Sequence, residues 1–160
     1  LQRLRGVGML GGKRAGSGKT ASGAPLNGIT ILLVDDDESV RALAETALDS
    51  QGYLILKALD SDQALRVSDA HTGPIHLLIT DQVMPPFMSG TELAACLRLL
   101  RPEIKVLYIS GYAATDGVAD ELEDASAQFL SKPFSPVALL RKVERLTAAS
   151  SDEQRAAPQN

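Results

Sequence analysis

His76–Pro86, with the sequence HLLITDQVMPP, is the stretch that decides the fold. Four apolar or β-branched residues, 77–80, run directly into Asp81, and a Met-Pro turn follows three residues later. A continuous apolar run bounded by turn residues is typical of a parallel strand that is covered on both faces. Open α/β sheets bind their ligands beyond the carboxyl ends of the strands. Asp81 is therefore the first candidate functional residue.

Strand-like and helix-like patterns alternate on both sides of this stretch. The other predicted strands cover residues 29–34, 53–58, 104–109 and 128–130. Apolar residues at helical spacing predict helices at residues 37–50, 62–70, 91–100, 115–124 and 135–146. This alternation indicates βαβ units with right-handed crossovers, and hence an α/β fold with a parallel sheet.

The composition favours a single cytoplasmic domain. Apolar residues make up 44% of the chain and aromatic residues 4%, which fits a core of small aliphatic side chains. No apolar run approaches the roughly 18 residues of a membrane span, and the N-terminus lacks the apolar region of a secretory signal. The single cysteine, Cys96, cannot form an internal disulfide, so we expect a reducing compartment.

Both ends of the chain differ from its centre. Residues 1–28 contain eight of the thirteen glycines and predict a flexible, basic linker. Their GGKRAGSGKT segment lacks the spacing of a P-loop, because the required first glycine falls on Lys13. We place the domain at residues 29–148 and a polar tail at residues 149–160. Residues 35–160 hold eleven basic and twenty acidic residues, so we expect no direct nucleic-acid or membrane contact.

Polar side chains follow the carboxyl ends of four predicted strands. They are Asp35, Asp36 and Asp37 after the first strand, Asp81 after the third, Ser110 after the fourth and Lys132 after the fifth. Asp37 is most simply the N-cap of the next helix. The carboxyl ends of parallel strands meet at one edge of a sheet, so we expect the remaining side chains to cluster there.

The charges of this cluster indicate a metal-assisted phosphoryl site. Three carboxylates, of Asp35, Asp36 and Asp81, repel one another and should raise the pKa of at least one of them. A divalent cation with oxygen ligands removes this repulsion, and together with Lys132 brings the net charge to zero. Asp81 is the best nucleophile because it stands alone on its strand end, while Ser110 and Lys132 can bind phosphoryl oxygens.

Four segments resemble the signature segments of the response-regulator receiver domain of two-component signalling. They are ILLVDDDESVR (31–41), LLITDQVMP (77–85), VLYISGYA (106–113) and FLSKPF (129–134). The resemblance spans residues 29–146 and implies a doubly wound, five-stranded parallel sheet of flavodoxin-like order 2-1-3-4-5 with helices on both faces. It leaves open whether the domain stands alone or comes from a hybrid histidine kinase or another larger regulator.

The resemblance also implies a chemistry for the acids. Asp81 is the phosphoacceptor, and a histidine kinase or a phosphotransfer protein is the donor. Asp36, Asp81 and the backbone carbonyl of Val83 bind Mg²⁺ directly, and Asp35 acts through water. Such a domain promotes its own phosphoryl transfer and is not a turnover enzyme on external substrates.

A second set of residues is implied to convert phosphorylation into a signal. Ser110 is the switch hydroxyl, Phe129 the switch aromatic, and Lys132 the phosphoryl-binding lysine before a cis bond to Pro133. The surface that changes is formed by the predicted helix at residues 115–124, the strand at 128–130 and the last helix. The downstream protein partner is not identified by the sequence.

Two departures from the family pattern affect these expectations. The loop after Met84 is one residue longer, with Pro86 and Phe87 before Met88. Ala138 stands where DNA-binding members that dimerise through this face often have glutamate. This difference weakens the expectation of a phosphorylation-dependent homodimer, which nevertheless stays open.

Two other functions compete with this interpretation. A haloacid-dehalogenase phosphatase also uses strand-end acids, and Asp35-x-Asp37 fits it superficially, but no further acidic motif follows Lys132. A receiver-fold adaptor that acts without phosphorylation is the other alternative. His71 and His76 lie in a turn and at a strand start, so we expect surface or structural roles rather than a phosphorelay role.

Overall fold

A computed structural model describes residues 27–85, 88–111 and 127–155 of the chain, with side chains described as far as residue 148. The strands are β1 (Thr30–Val34), β2 (Leu54–Ala58), β3 (Leu77–Asp81), β4 (Lys105–Ser110) and β5 (Ala127–Ser131). The described helices are α1 (Glu38–Asp49), α2 (Ser61–Ala70), α3 (Gly90–Leu100) and α4 (Pro136–Arg155). All strands pair in parallel in the order β2-β1-β3-β4-β5, which confirms the predicted fold.

The sheet is covered on both faces. Successive side chains of a strand point to opposite faces. Ile31 and Leu33 accordingly pack with residues of α1 and α4, whereas Leu32 and Val34 pack with residues of α2 and α3. All five residues of β1 are buried, as expected for a central strand between two helical layers.

Capping residues set where the helices begin. Asp37 is the N-cap of α1 and accepts hydrogen bonds from the backbone N–H groups of Ser39 and Val40, which confirms its predicted role. Ser89 caps α3 in a reciprocal arrangement with Glu92. The Asp37 cap places the N-terminus of α1 directly after the loop that carries Asp35 and Asp36.

The last helix is longer than predicted. The apolar pattern indicates an end at Leu146, but α4 continues to Arg155. Leu146 and Thr147 are its last described side chains that are buried. The apolar pattern thus ends with the last described buried side chains, whereas residues 148–155 include Ala, Glu, Gln and Arg, whose helix propensity is high whatever the apolar pattern. The predicted tail at 149–160 is helical up to residue 155.

Several predictions concern residues outside the described part of the chain. They are the linker at residues 1–26, the longer loop at residues 86–87, the helix at residues 115–124 and the end of the tail at residues 156–160. Within the described part, no helix is both long and apolar enough to span a membrane.

Candidate functional site

The parallel register brings the candidate acids to one edge of the sheet. Val34 of β1 pairs with Thr80 of β3, so Asp35 and Asp81 each lie one residue beyond this pair. Ser110 ends β4 at the same edge. The structure therefore places the strand-end side chains together as the sequence predicts.

Lys132 links two of the acids. Its Nζ lies 2.8 Å from Oδ2 of Asp81 and 2.9 Å from Oδ2 of Asp35. The other oxygens accept backbone hydrogen bonds: Oδ1 of Asp81 from the N–H of Val83 at 3.1 Å, and Oδ1 of Asp35 from the N–H of Asp37 at 2.9 Å. The peptide bond from Lys132 to Pro133 is cis, as predicted. Both carboxylates are therefore held in defined orientations.

Burial and charge act in opposite directions at this site. Asp35 is completely buried, and this burial raises the pKa of its carboxyl group, although the Asp37 N–H and the Lys132 ammonium partly offset it. Burial alone would lower the pKa of Lys132, but its contacts with Asp81 and Asp35 outweigh that effect and raise it. Lys132 is therefore a stable cation at neutral pH.

The acids fit a hard divalent cation. Asp35, Asp36 and Asp81 each have a carboxylate oxygen that lies within 4.8 Å of the corresponding oxygens of the other two. Oδ2 of Asp35 is buried, and its one partner among the residues that the structure describes is the Lys132 ammonium at 2.9 Å. Three acids against one ammonium leave an excess of negative charge. An oxygen-only donor set with this excess suits Mg²⁺.

The predicted switch residues lie next to this cluster. Ser110 is buried, and its backbone carbonyl accepts a hydrogen bond from the N–H of Lys132 at 2.8 Å. Phe129 is partly buried, and its ring stacks on that of Tyr108 with centroids 5.2 Å apart. Phe129 thus packs on the α2 and α3 side of the sheet. Tyr108 was not singled out from the sequence.

Gly90 is a second residue that sequence reasoning missed. A Cβ atom at Gly90 would lie 2.0 Å from the backbone oxygen of Asp81 and 3.0 Å from Oγ1 of Thr80. Its N–H also donates to the carbonyl of Gln82 at 3.1 Å. Only glycine allows the first turn of α3 to approach the Asp81 backbone this closely. The sequence shows a glycine before a predicted helix but not what that glycine faces.

The histidines lie at the opposite edge of the sheet. Nδ1 of His76 accepts a hydrogen bond from the N–H of Thr30 at 3.0 Å, and burial lowers the pKa of its ring. His71 is the C-cap of α2. These positions support the predicted structural roles of both histidines.

A doubly wound sheet with an acid–lysine cluster beyond its carboxyl ends is the arrangement of a signalling receiver. The family model of the response regulator receiver domain matches residues 31–144, and the chain belongs to this family. Receiver domains of two-component systems are regulatory phosphoacceptors that take phosphoryl groups from histidine kinases or phosphotransfer proteins.

Relatives of very different length match this chain. It is 36% identical over 117 residues to the sensor kinase CckA of Brucella abortus (strain 2308), covering 73% of this chain and 12% of the kinase. It is 33% identical over 120 residues to the response regulator receiver protein CpdR of the same strain, covering 75% of this chain and 98% of CpdR. This chain therefore spans only a small part of the kinase but nearly the whole length of CpdR.

A solved structure shows the same fold. Response regulator protein TrrA from Thermotoga maritima, in complex with Mg²⁺ and BeF, superposes with a TM-score of 0.60 at 29% identity. The superposition covers 74% of this chain and 98% of TrrA.

Proposed function

We propose that this chain takes a phosphoryl group onto Asp81 from a histidine kinase or a phosphotransfer protein, with Mg²⁺ bound at the acid cluster. The observation that carries the proposal is the position of Lys132, whose Nζ contacts both Asp81 and the buried Asp35. The nucleophile, a cationic partner for phosphoryl oxygens and two further carboxylates thus share one edge of the sheet.

The transfer itself uses the Asp81 carboxylate as the nucleophile. One of its oxygens attacks the phosphorus, a P–O bond forms, and the bond from phosphorus to the donor nitrogen breaks with its electron pair leaving on the donor. The Val83 N–H and the Lys132 ammonium orient the carboxylate before attack. Lys132 can then pair with the phosphoryl oxygens. Neutralising the negative charge on these oxygens is a main requirement of phosphoryl transfer.

Mg²⁺ would be held by the carboxylates of Asp36 and Asp81 and the backbone carbonyl of Val83, with Asp35 acting through water. When bound, it neutralises charge on the phosphoryl oxygens. The presence of Mg²⁺ and BeF in TrrA supports the same type of site in this chain.

Ser110 and Phe129 would convert the modification into a change of surface. The Ser110 hydroxyl moves toward the phosphoryl group, and Phe129 swings into the space beside it. In the present structure Phe129 stacks on Tyr108, a contact worth about 0.5–1.5 kcal/mol that this movement must replace. The surface that responds comprises β5, α4 and the predicted helix at residues 115–124, which lies outside the described residues.

The phosphoacceptor can be tested by intact-mass measurement after incubation with a small phosphodonor such as phosphoramidate. We expect one phosphoryl adduct in wild type with Mg²⁺, and none in Asp81→Asn or in EDTA. Asp37→Asn is the matched control, since asparagine caps a helix as well as aspartate does, and it should still form the adduct. An adduct in Asp81→Asn, or equal labelling in EDTA, would contradict the proposal. No adduct in wild type would favour an adaptor that acts without phosphorylation.

A further inference from the structure

The guanidinium group of Arg41 binds the backbone of the loop that carries the first two acids. Arg41 is the fourth residue of α1, and its Nη1 donates to the carbonyl oxygen of Asp35 at 2.6 Å. The side chain is partly buried. Within the described part of the chain it forms no ion pair with an acid. Its charge is therefore directed at a peptide group rather than at a carboxylate.

The neighbouring charges explain why Arg41 is available for this contact. Glu45 lies one helical turn beyond Arg41, the spacing at which an arginine and a glutamate normally pair. Glu45 instead pairs with Lys57 of β2 at 2.9 Å. Glu45 thus pairs with Lys57, while the Arg41 guanidinium reaches the end of β1.

The contact acts on the peptide between the first two acids. The carbonyl of Asp35 belongs to the peptide group that joins Asp35 to Asp36, one residue beyond the last residue of β1. Asp36 is exposed, and its carboxylate accepts no hydrogen bond from a residue that the structure describes. No side-chain contact in the described part of the chain holds this carboxylate, so the position from which it can reach a cation depends on the backbone.

We propose that Arg41 is a positioning residue of the cation site, which aims the Asp36 carboxylate by holding the Asp35–Asp36 peptide. This role rests on the proposed Mg²⁺ site and adds a residue to it. Arg41 touches neither the cation nor Asp81, and acts through the backbone alone. Outer-shell contacts of this kind orient metal ligands and often affect metal affinity strongly.

A purely electrostatic role for Arg41 predicts the opposite result. A guanidinium near the acid cluster repels a cation, so its removal would tighten Mg²⁺ binding if charge alone mattered. If Arg41 positions Asp36, its removal weakens Mg²⁺ binding although a repulsive charge has been lost. The sign of the change therefore separates the two roles.

Mg²⁺ titration of the full chain by isothermal calorimetry measures this sign. We expect Arg41→Ala to raise the Kd for Mg²⁺ by about tenfold. Arg41→Lys should recover part of the loss, because an ammonium can donate to a carbonyl but lacks the fixed planar geometry of the guanidinium. Arg66→Ala is the matched control, since it removes the same charge from an exposed pair with Asp62 and should leave the Kd unchanged.

A double variant tests the route through Asp36. In an Asp36→Ala background, Arg41→Ala should change the Kd by about twofold at most, because no carboxylate is left to aim. A Kd for Arg41→Ala equal to or below that of wild type would overturn the proposal, and Arg41→Lys decides by the same criterion if Arg41→Ala does not fold. Absence of Mg²⁺ binding by wild type would overturn the proposed function and this inference with it.

Discussion

The two edges of the sheet use polar side chains in opposite ways. At the amino edge, the Arg101 guanidinium donates four hydrogen bonds of 2.8–3.1 Å, to Oγ and the backbone carbonyl of Ser68 and to the carbonyls of His71 and Gly73. At the carboxyl edge, three carboxylates lie close together, and the one ammonium among the described residues that contacts them, that of Lys132, pairs with Asp35 and Asp81.

This difference distinguishes a structural edge from a functional one. Arg101 satisfies carbonyls at and just beyond the end of α2, which would otherwise be left without partners. Charged groups that are incompletely satisfied reduce stability, and a protein retains them where a ligand completes them. The amino edge therefore stabilises the fold, whereas the carboxyl edge carries the excess negative charge on which the proposed binding of a cation and a phosphoryl group rests.

The largest effect is expected at Gly90. Gly90→Ala places a methyl group against the backbone of Asp81, which no side-chain rotation can relieve. We expect the free energy of unfolding to fall by about 3 kcal/mol in urea titration, together with loss of the phosphoryl adduct. Gly73→Ala is the matched change at the amino edge. It meets only the His71 side chain, at 3.1 Å, which can move, so wild-type labelling is expected. Normal labelling of Gly90→Ala would show that this close approach does not position Asp81.

Arg101→Ala tests the structural edge. It leaves buried acceptors of Ser68 without their donor, so we expect a loss of about 2–3 kcal/mol in the free energy of unfolding. The Kd for Mg²⁺ and the yield of adduct should not change. Arg66→Ala removes only an exposed ion pair with Asp62 and should lower the free energy of unfolding by about 0.5 kcal/mol or less. A weaker Mg²⁺ affinity in Arg101→Ala would mean that the two edges are coupled, and the distinction between them would fail.

Ser110→Ala sharpens the description of the functional edge. The variant should still be phosphorylated at Asp81, because neither the nucleophile nor Lys132 is changed. A shift of a two-state equilibrium from 1:99 to 99:1 needs about 5.5 kcal/mol, and one hydrogen bond to a charged group supplies roughly 1.5–3 kcal/mol of it. NMR shift changes of Phe129 on adding beryllofluoride should therefore be clearly reduced. Ser131→Ala is the control, because Ser131 pairs with Ser110 across β4 and β5 and its loss should leave the response unchanged. A full response in Ser110→Ala would rule out this coupling.

The smallest effect is expected at His76. Its ring accepts a hydrogen bond from Thr30 and has a pKa lowered by burial, so the unfolded chain binds a proton more readily than the folded chain. Stability should therefore decrease as the pH falls below about 6.5, until the lowered folded pKa is passed. His76→Asn retains an acceptor for Thr30 and should flatten the pH dependence of thermal unfolding. His71→Asn is the control, and an unchanged profile in His76→Asn would exclude His76 as the cause.

Much of the fold could be predicted from local pattern. The apolar run before Asp81 is buried up to Thr80 and forms the central strand β3. A strand that is covered on both faces has apolar residues at every position, so a continuous apolar run predicts it. The ends of helices were predicted less accurately than their existence. The helix predicted from Thr91 begins at Gly90, and α4 continues beyond Leu146. Helix ends depend on caps and on exposed residues, neither of which belongs to the apolar period.

The candidate site could be predicted in part for the same reason. Strand ends are visible in the sequence, and parallel pairing requires them to meet, so the cluster of Asp35, Asp36, Asp81 and Lys132 followed from their positions. The switch roles of Ser110 and Phe129 came from the family resemblance and remain predictions. The contact of Tyr108 with Phe129 could not be predicted, because in the sequence Tyr108 is simply one residue of an apolar run that predicts a strand.

The sequence by itself determined the parallel sheet, the edge at which the acids meet, and the excess of negative charge there. These properties depend on residue types and on spacing along the chain. Only the tertiary structure decided that Gly90 touches the Asp81 backbone and that Arg41 binds the Asp35 carbonyl. Such contacts depend on how closely two elements approach and on which partner a neighbouring charge has already taken, as Lys57 takes Glu45. Packing sets both, and no local pattern encodes them.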